Sequence, residues 1–150
     1  MGFRKKGLDL MRKDKEKIVD HKVIQALLDE KKTKMKLSLS ACSSCSLCAE
    51  SCFMFNNNDS DPKFMPSYKV LKSLGVLYRK KGKVSYQSLK KMGDLIWKNC
   101  VLCGRCYCAV GIDIPDMIAF TRMVCRSQDV DGVYPHNLGA PPEDDEVLNS

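Results

Sequence analysis

The sequence has no run of about 18 or more apolar residues, so no segment reads as a membrane-spanning helix. Its basic start, MGFRKKGLDLMRKDKEK, leads into no apolar signal-peptide core, and export is not expected. Aromatic residues make up 7% of the 150 residues and do not interleave with the lysines. With no nucleic-acid motif beside them, that argues against nucleic-acid binding. No phosphate-cradling glycine loop, nucleophile–base pair or open metal site is visible, so substrate chemistry is not expected of this chain. His21 and His136 have no partner at metal-ligand spacing and read as surface or packing residues. Residues 127–150 lack Lys and Arg but carry 6 acids, against 12 basic and 6 acidic residues in 1–40 and 13 and 6 in 41–126. The net charge of +7 therefore describes a basic body with an acidic tail. Such a body suits an anionic membrane surface or an acidic protein partner, while any single lysine reads as solvated surface.

Cysteine is what the chain has in plenty, nine in all. In a chain not expected to leave the reducing cytoplasm, clustered thiols are metal ligands or redox groups more often than disulfides. CSSCSLCAESC spaces Cys42, Cys45 and Cys48 evenly and then waits three residues before Cys52; CVLCGRCYC repeats the rhythm at Cys100, Cys103 and Cys106 but brings Cys108 after one. A [4Fe–4S] cubane wants one thiolate per iron corner, and a C-x-x-C-x-x-C loop wraps three of them. In two-cluster ferredoxins the fourth cysteine of each run ligates the other cluster. On that logic one cluster takes Cys42, Cys45, Cys48 and Cys108, and the other Cys100, Cys103, Cys106 and Cys52.

The early cysteine leaves three arrangements open. In extended chain, residues two apart point the same way, so Cys106 and Cys108 need a bend at Tyr107 if they serve different clusters. Cys108 crosses over, or Cys125 replaces it, or one cluster keeps three irons. The crossover is expected, because AVGIDIP follows Cys108 as such a segment normally follows a fourth ligand. The rival metal is zinc, in two four-thiolate sites stabilising an interaction scaffold, but zinc does not need a third cysteine at the same spacing in both runs. Elsewhere, Cys125 reads as a buried free thiol. Trp97 reads as packing beside a cluster, and Met54, Met65, Met117 and Met123 as apolar filling. Lys98 and Arg105 lie close enough in sequence to favour a reduced, more negative cluster, although solvated surface is the plainer reading of both.

Around the cysteines the chain is helical in pattern. Residues 8–32 place Leu8, Met11, Ile18, Val19, Val23, Ile24, Leu27 and Leu28 at helical period with no Gly or Pro. An irregular connection, MFNNNDSDPKFMPSYK, follows the first run. SYKVLKSLGVLYRKKGKVSYQSLKKMGDLIWKNC predicts two helices broken near KKGK, the second capped by Ser85 or Ser88. IPDMIAFTRMVCRSQ predicts a short amphipathic helix with Pro115 near its start, and the remainder an extended tail. The expected division is a basic helical extension over 1–37, a cluster-bearing domain over 38–126 and an acidic tail over 127–150.

Two well-separated runs with helices between them resemble the all-helical two-cluster ferredoxin module. IWKNCVLCGRC followed by VGIDIPDMI most resembles the two-cluster iron–sulfur protein that forms the C component of heterodisulfide reductase, and related iron–sulfur components of anaerobic respiratory complexes. Phe53 and Ala109 stand where that pattern often has Pro, and the second run is two residues short. The resemblance implies a mainly α fold, an all-helical dicluster ferredoxin with loop-held clusters, and two [4Fe–4S] clusters as cofactors. It also implies a non-catalytic electron-transfer subunit in a hetero-oligomer. A flavoprotein or ferredoxin donor would stand on one side, and a cysteine-rich catalytic subunit that reduces a disulfide or related thiol on the other. The expected compartment is the cytoplasm, free or attached to the cytoplasmic face of a membrane complex. A further reading makes the chain the counterpart of the N-terminal portion of a longer reductase whose catalytic half is a separate polypeptide here.

Overall fold

The computed structural model describes residues 17–132. Among them every regular element is a helix, in agreement with the expected mainly α class. No helix among the described residues is long and apolar enough to cross a membrane.

The first helix, α1 (His21–Glu30), starts where it does because the Asp20 carboxylate accepts hydrogen bonds from the Lys22 and Val23 backbone N–H groups. This corrects the single helix expected over 8–32. Residues 17–20 are not helical, the helix breaks at Lys31 (φ −108°, ψ 17°), and α2 (Lys32–Ala41) carries on to the first cysteine. The Asp20 N–H is itself held by Gln128 Oε1 at 2.7 Å, a contact 108 positions away that no local pattern announces. Leu8 and Met11 lie outside the described residues. Of the expected apolar stripe, Val19, Ile24 and Leu28 are buried and Ile18 is 93% exposed.

Two single-turn helices, α3 (Leu47–Glu50) and α4 (Phe53–Asn56), flank Cys52, and a 3₁₀ turn (Pro62–Phe64) leads into α5 (Pro66–Lys72). The stretch expected to hold two helices holds three: α5, α6 (Leu74–Arg79) and α7 (Tyr86–Lys98). Ser73 makes the extra break, with φ −115°, ψ −82° and its hydroxyl donating to the Lys69 carbonyl at 2.6 Å. The break near KKGK is present, with Lys81 and Gly82 both at positive φ. Ser85 caps α7, its hydroxyl accepting from the Ser88 N–H at 3.3 Å. Ser85→Ala is expected to cost about 1 kcal/mol, read as a lower urea midpoint; an unchanged midpoint would contradict the cap. The last helix, α8 (Ile114–Arg126), has Asp113 as cap and Pro115 in its first turn, where a missing N–H costs little.

One apolar core joins these helices. Ile24, Leu28 and Met35 of α1 and α2 share it with Leu74, Leu77, Leu89, Ile96, Ile118 and Val124, and Val130 beyond α8 closes it. Lys34 of α2 pairs with Asp116 at 2.7 Å, which ties α2 to the first turn of α8 and holds the Asp116 carboxyl below its usual range. His21 packs by donating from Nε2 to the Val84 carbonyl at 3.1 Å. Trp97 is core, with the Arg122 and Arg126 guanidinium groups 5.7 and 5.6 Å from its ring centre. Met117 is buried and Met54 and Met65 half-buried, whereas Met123 is 41% exposed and fills nothing. His136 and the tail from 133 onward lie outside the described residues.

Candidate metal centre

Two helices run straight into the two cysteine runs. Cys42 is the C-cap of α2, and Cys100 follows Asn99, the C-cap of α7. Beyond each helix the backbone turns in the same way. Ser44 and Ser46 have φ of +57° and +67°, and Leu102 and Gly104 have +55° and +76°. These are matching positions, one just before and one just after the middle cysteine of each C-x-x-C-x-x-C run. Left-handed backbone costs a non-glycine residue about 1 kcal/mol or more, and a bulky Leu is among the worst choices for it. That both loops hold it despite different side chains points to a shared requirement. Turns of this kind aim successive N–H groups into a concavity that suits an anion, iron–sulfur sites included. In the second loop the Leu102 N–H donates to Cys100 Sγ at 3.4 Å.

Each run encloses a cavity, and each cavity takes one cysteine from the other run. The first is lined by Cys42, Cys45, Cys48 and Cys108. Cys52, Cys100, Cys103 and Cys106 line the second. The wall between them is made by α5 and α8, which pack on each other. Ser67 and Val70 of α5, with Ile114 and Met117 of α8, face the first cavity; Lys69, with Pro115 and Ile118, faces the second. Helical spacing sets this division, since positions three apart share a face and neighbouring positions do not.

Across a single intervening residue, Cys106 lines the second cavity and Cys108 the first. Tyr107 lines the first cavity, and its backbone N–H donates to Ser51 Oγ at 3.0 Å, next to Cys52. Beyond it a turn closes from the Gly111 N–H to the Cys108 carbonyl at 3.0 Å. Residues 105–108 form no helix, turn or bend, and the two cysteines still line different cavities. Cys125 lines neither cavity. It is fully buried, its Sγ lies 4.0 Å from the Leu89 carbonyl, and burial pushes its thiol up to about 12.

Charge distinguishes the two cavities. Lys98 and Arg105, the cations the sequence singles out, are exposed, and Lys98 pairs with Asp94 at 2.8 Å. The buried charges among the described residues are Lys69 and Arg122, at 1% and 9% exposure. Lys69 Nζ donates to the Asn99 carbonyl at 2.8 Å, and Arg122 donates to the carbonyls of Ile96 at 2.8 Å and Cys100 at 2.6 Å. Both tie off the carbonyl end of α7 where it meets the second loop, a placement that also suits the helix dipole. The sequence singles out neither, and a lysine such as Lys69 reads there as solvated surface. The signal lay in phase: Lys69 sits on the buried stripe of Pro66, Val70, Ser73 and Leu74, and Arg122 on that of Ile118, Thr121 and Cys125.

The residues present fit a four-iron cubane at each cavity in number and chemistry. Each cavity offers four thiols with no histidine or carboxylate among its lining residues. Among the described residues no three His, Cys, Asp or Glu side chains converge on a site for a metal ion; the thiols line the cavities instead. Burial first, then the nearby Cys100 and Cys52, push the Cys106 thiol up to about 12, with Lys69 pulling the other way. A thiol so placed keeps its proton until a metal displaces it.

Residues 38–112 match the 4Fe-4S dicluster domain family. Neither a curated protein nor a solved structure matches the chain. The matched span contains both cysteine runs and excludes Cys125.

Proposed function

The chain belongs to the 4Fe-4S dicluster domain family and has an electron-transfer role; on that premise we propose that it is a two-cluster relay inside a heterodisulfide-reductase-like complex. One cluster is held by Cys42, Cys45, Cys48 and Cys108, the other by Cys100, Cys103, Cys106 and Cys52. When bound, each cluster supplies one-electron chemistry at thiolate-ligated iron. The protein's part is to hold the thiolates, keep the clusters on the two faces of the α5–α8 wall and shield them with apolar side chains. The donor is a flavoprotein or ferredoxin, and the acceptor is a cysteine-rich catalytic subunit that reduces a disulfide. Residues 38–126 form the cluster-bearing part, the basic N-terminal stretch and the acidic tail serve as partner contacts, and the complex works in the cytoplasm or on the cytoplasmic face of a membrane.

The observation that carries this reading is the exchange of fourth cysteines between the two cavities. It makes one unit of both sites, as a relay requires. The test is stopped-flow absorbance on the complex isolated anaerobically with its native subunits. Cluster absorbance should bleach on adding the reduced donor and recover on adding the disulfide, at rates no slower than turnover. Turnover at the full rate in a complex stripped of this chain would overturn the proposal.

A further inference from the structure

The two cavities share a plan and differ in charge. Each has a middle cysteine, Cys45 or Cys103, at the surface, and each loop has the same two left-handed residues. The second cavity alone has a charged residue among those that line it, Lys69, whose ammonium is turned to the Asn99 carbonyl and whose charge is felt at Cys106. Among the described residues no carboxylate forms an ion pair with Lys69 or with Arg122. A buried charge without a counter-charge is expensive. The partner that Lys69 lacks within the protein is an anion, and the wall it occupies belongs to a site for a thiolate-ligated cluster.

We propose that Lys69 sets the reduction potential of the cluster held by Cys52, Cys100, Cys103 and Cys106 above that of its neighbour, so that an electron entering the chain comes to rest there. The inference depends on the two-cluster reading above. A [4Fe–4S] cluster with four thiolates is doubly negative when oxidised and triply negative after taking one electron; no bond forms or breaks. A fixed cation interacts more strongly with the triply charged state and so raises the potential. In a low-dielectric wall that preference is little screened.

The test is a redox titration of the full chain, loaded with both clusters and followed by electron paramagnetic resonance. Three variants are compared with the parent. Lys69→Gln keeps a donor for the Asn99 carbonyl and removes the charge; Lys69→Arg keeps the charge; Cys45→Ser marks which signal belongs to the first cluster. We expect Lys69→Gln to weaken reduction of the second cluster at least tenfold, which is 59 mV for one electron, with the first cluster unmoved and Lys69→Arg close to the parent. Equal shifts in Gln and Arg variants, or no shift in either, would overturn the role of Lys69 and leave the two-cluster reading standing. Loaded parent protein showing fewer than two cluster signals would overturn both.

Discussion

Cys108→Ala is expected to lower the iron of the anaerobically loaded chain from about eight atoms to between about seven and about four, as the first cluster loses one iron or all of them, while Cys125→Ala is expected to leave it unchanged. The two thiols are near in sequence and competed for the same role on spacing alone. The structure separates them, with Cys108 in the wall of the first cavity beside Cys42, Cys45 and Cys48, and Cys125 sealed in the core of α8. Cys125→Ala should cost about 1 kcal/mol through lost packing and no metal. Iron and acid-labile sulfide assays on the two variants give the answer directly. Loss of iron in the Cys125 variant, or none in the Cys108 variant, would contradict the exchange of fourth ligands.

Arg122→Leu is expected to destabilise the loaded chain by roughly 3 kcal/mol, since each charged hydrogen bond to a buried carbonyl is worth about 1.5–3 kcal/mol. For a domain whose whole stability is on the order of 5–15 kcal/mol that is a large fraction. Two carbonyls, Ile96 and Cys100, lose their charged donor, and one belongs to a proposed ligand. The loss should therefore be local as well as global, with the second cluster bleaching in air before the first. Urea unfolding followed by helix signal, alongside decay of the two cluster signals, checks both parts. An unchanged midpoint would show that the carbonyls find other partners.

Much of this was legible in the cysteines. Even spacing at Cys42, Cys45 and Cys48 and again at Cys100, Cys103 and Cys106 needs nothing beyond local chain geometry, and the helices around them follow from apolar period and caps such as Ser85 and Asp113. What the sequence hid depends on distant contacts. The start of α1 is fixed partly by Gln128. The break at Ser73 turns on one hydroxyl preferring the Lys69 carbonyl to solvent. The chain between Cys106 and Cys108 is tied at the Tyr107 N–H to Ser51, 56 positions away. Lys69 and Arg122 were missed for a different reason, since charge argues for exposure until burial is known. Leu102 gives no sign in sequence that it must sit in left-handed backbone; its counterpart after the middle cysteine, Gly104, is the residue type that suits such a position.

The most direct test of two thiolate-bound clusters in one chain is Mössbauer spectroscopy of protein loaded with ⁵⁷Fe under exclusion of oxygen. The account predicts about eight irons per chain, all in cubane environments with sulfur ligation, and two distinct populations once the chain is half reduced. A single cluster's worth of iron, or a colourless chain that binds zinc in its place, would contradict it.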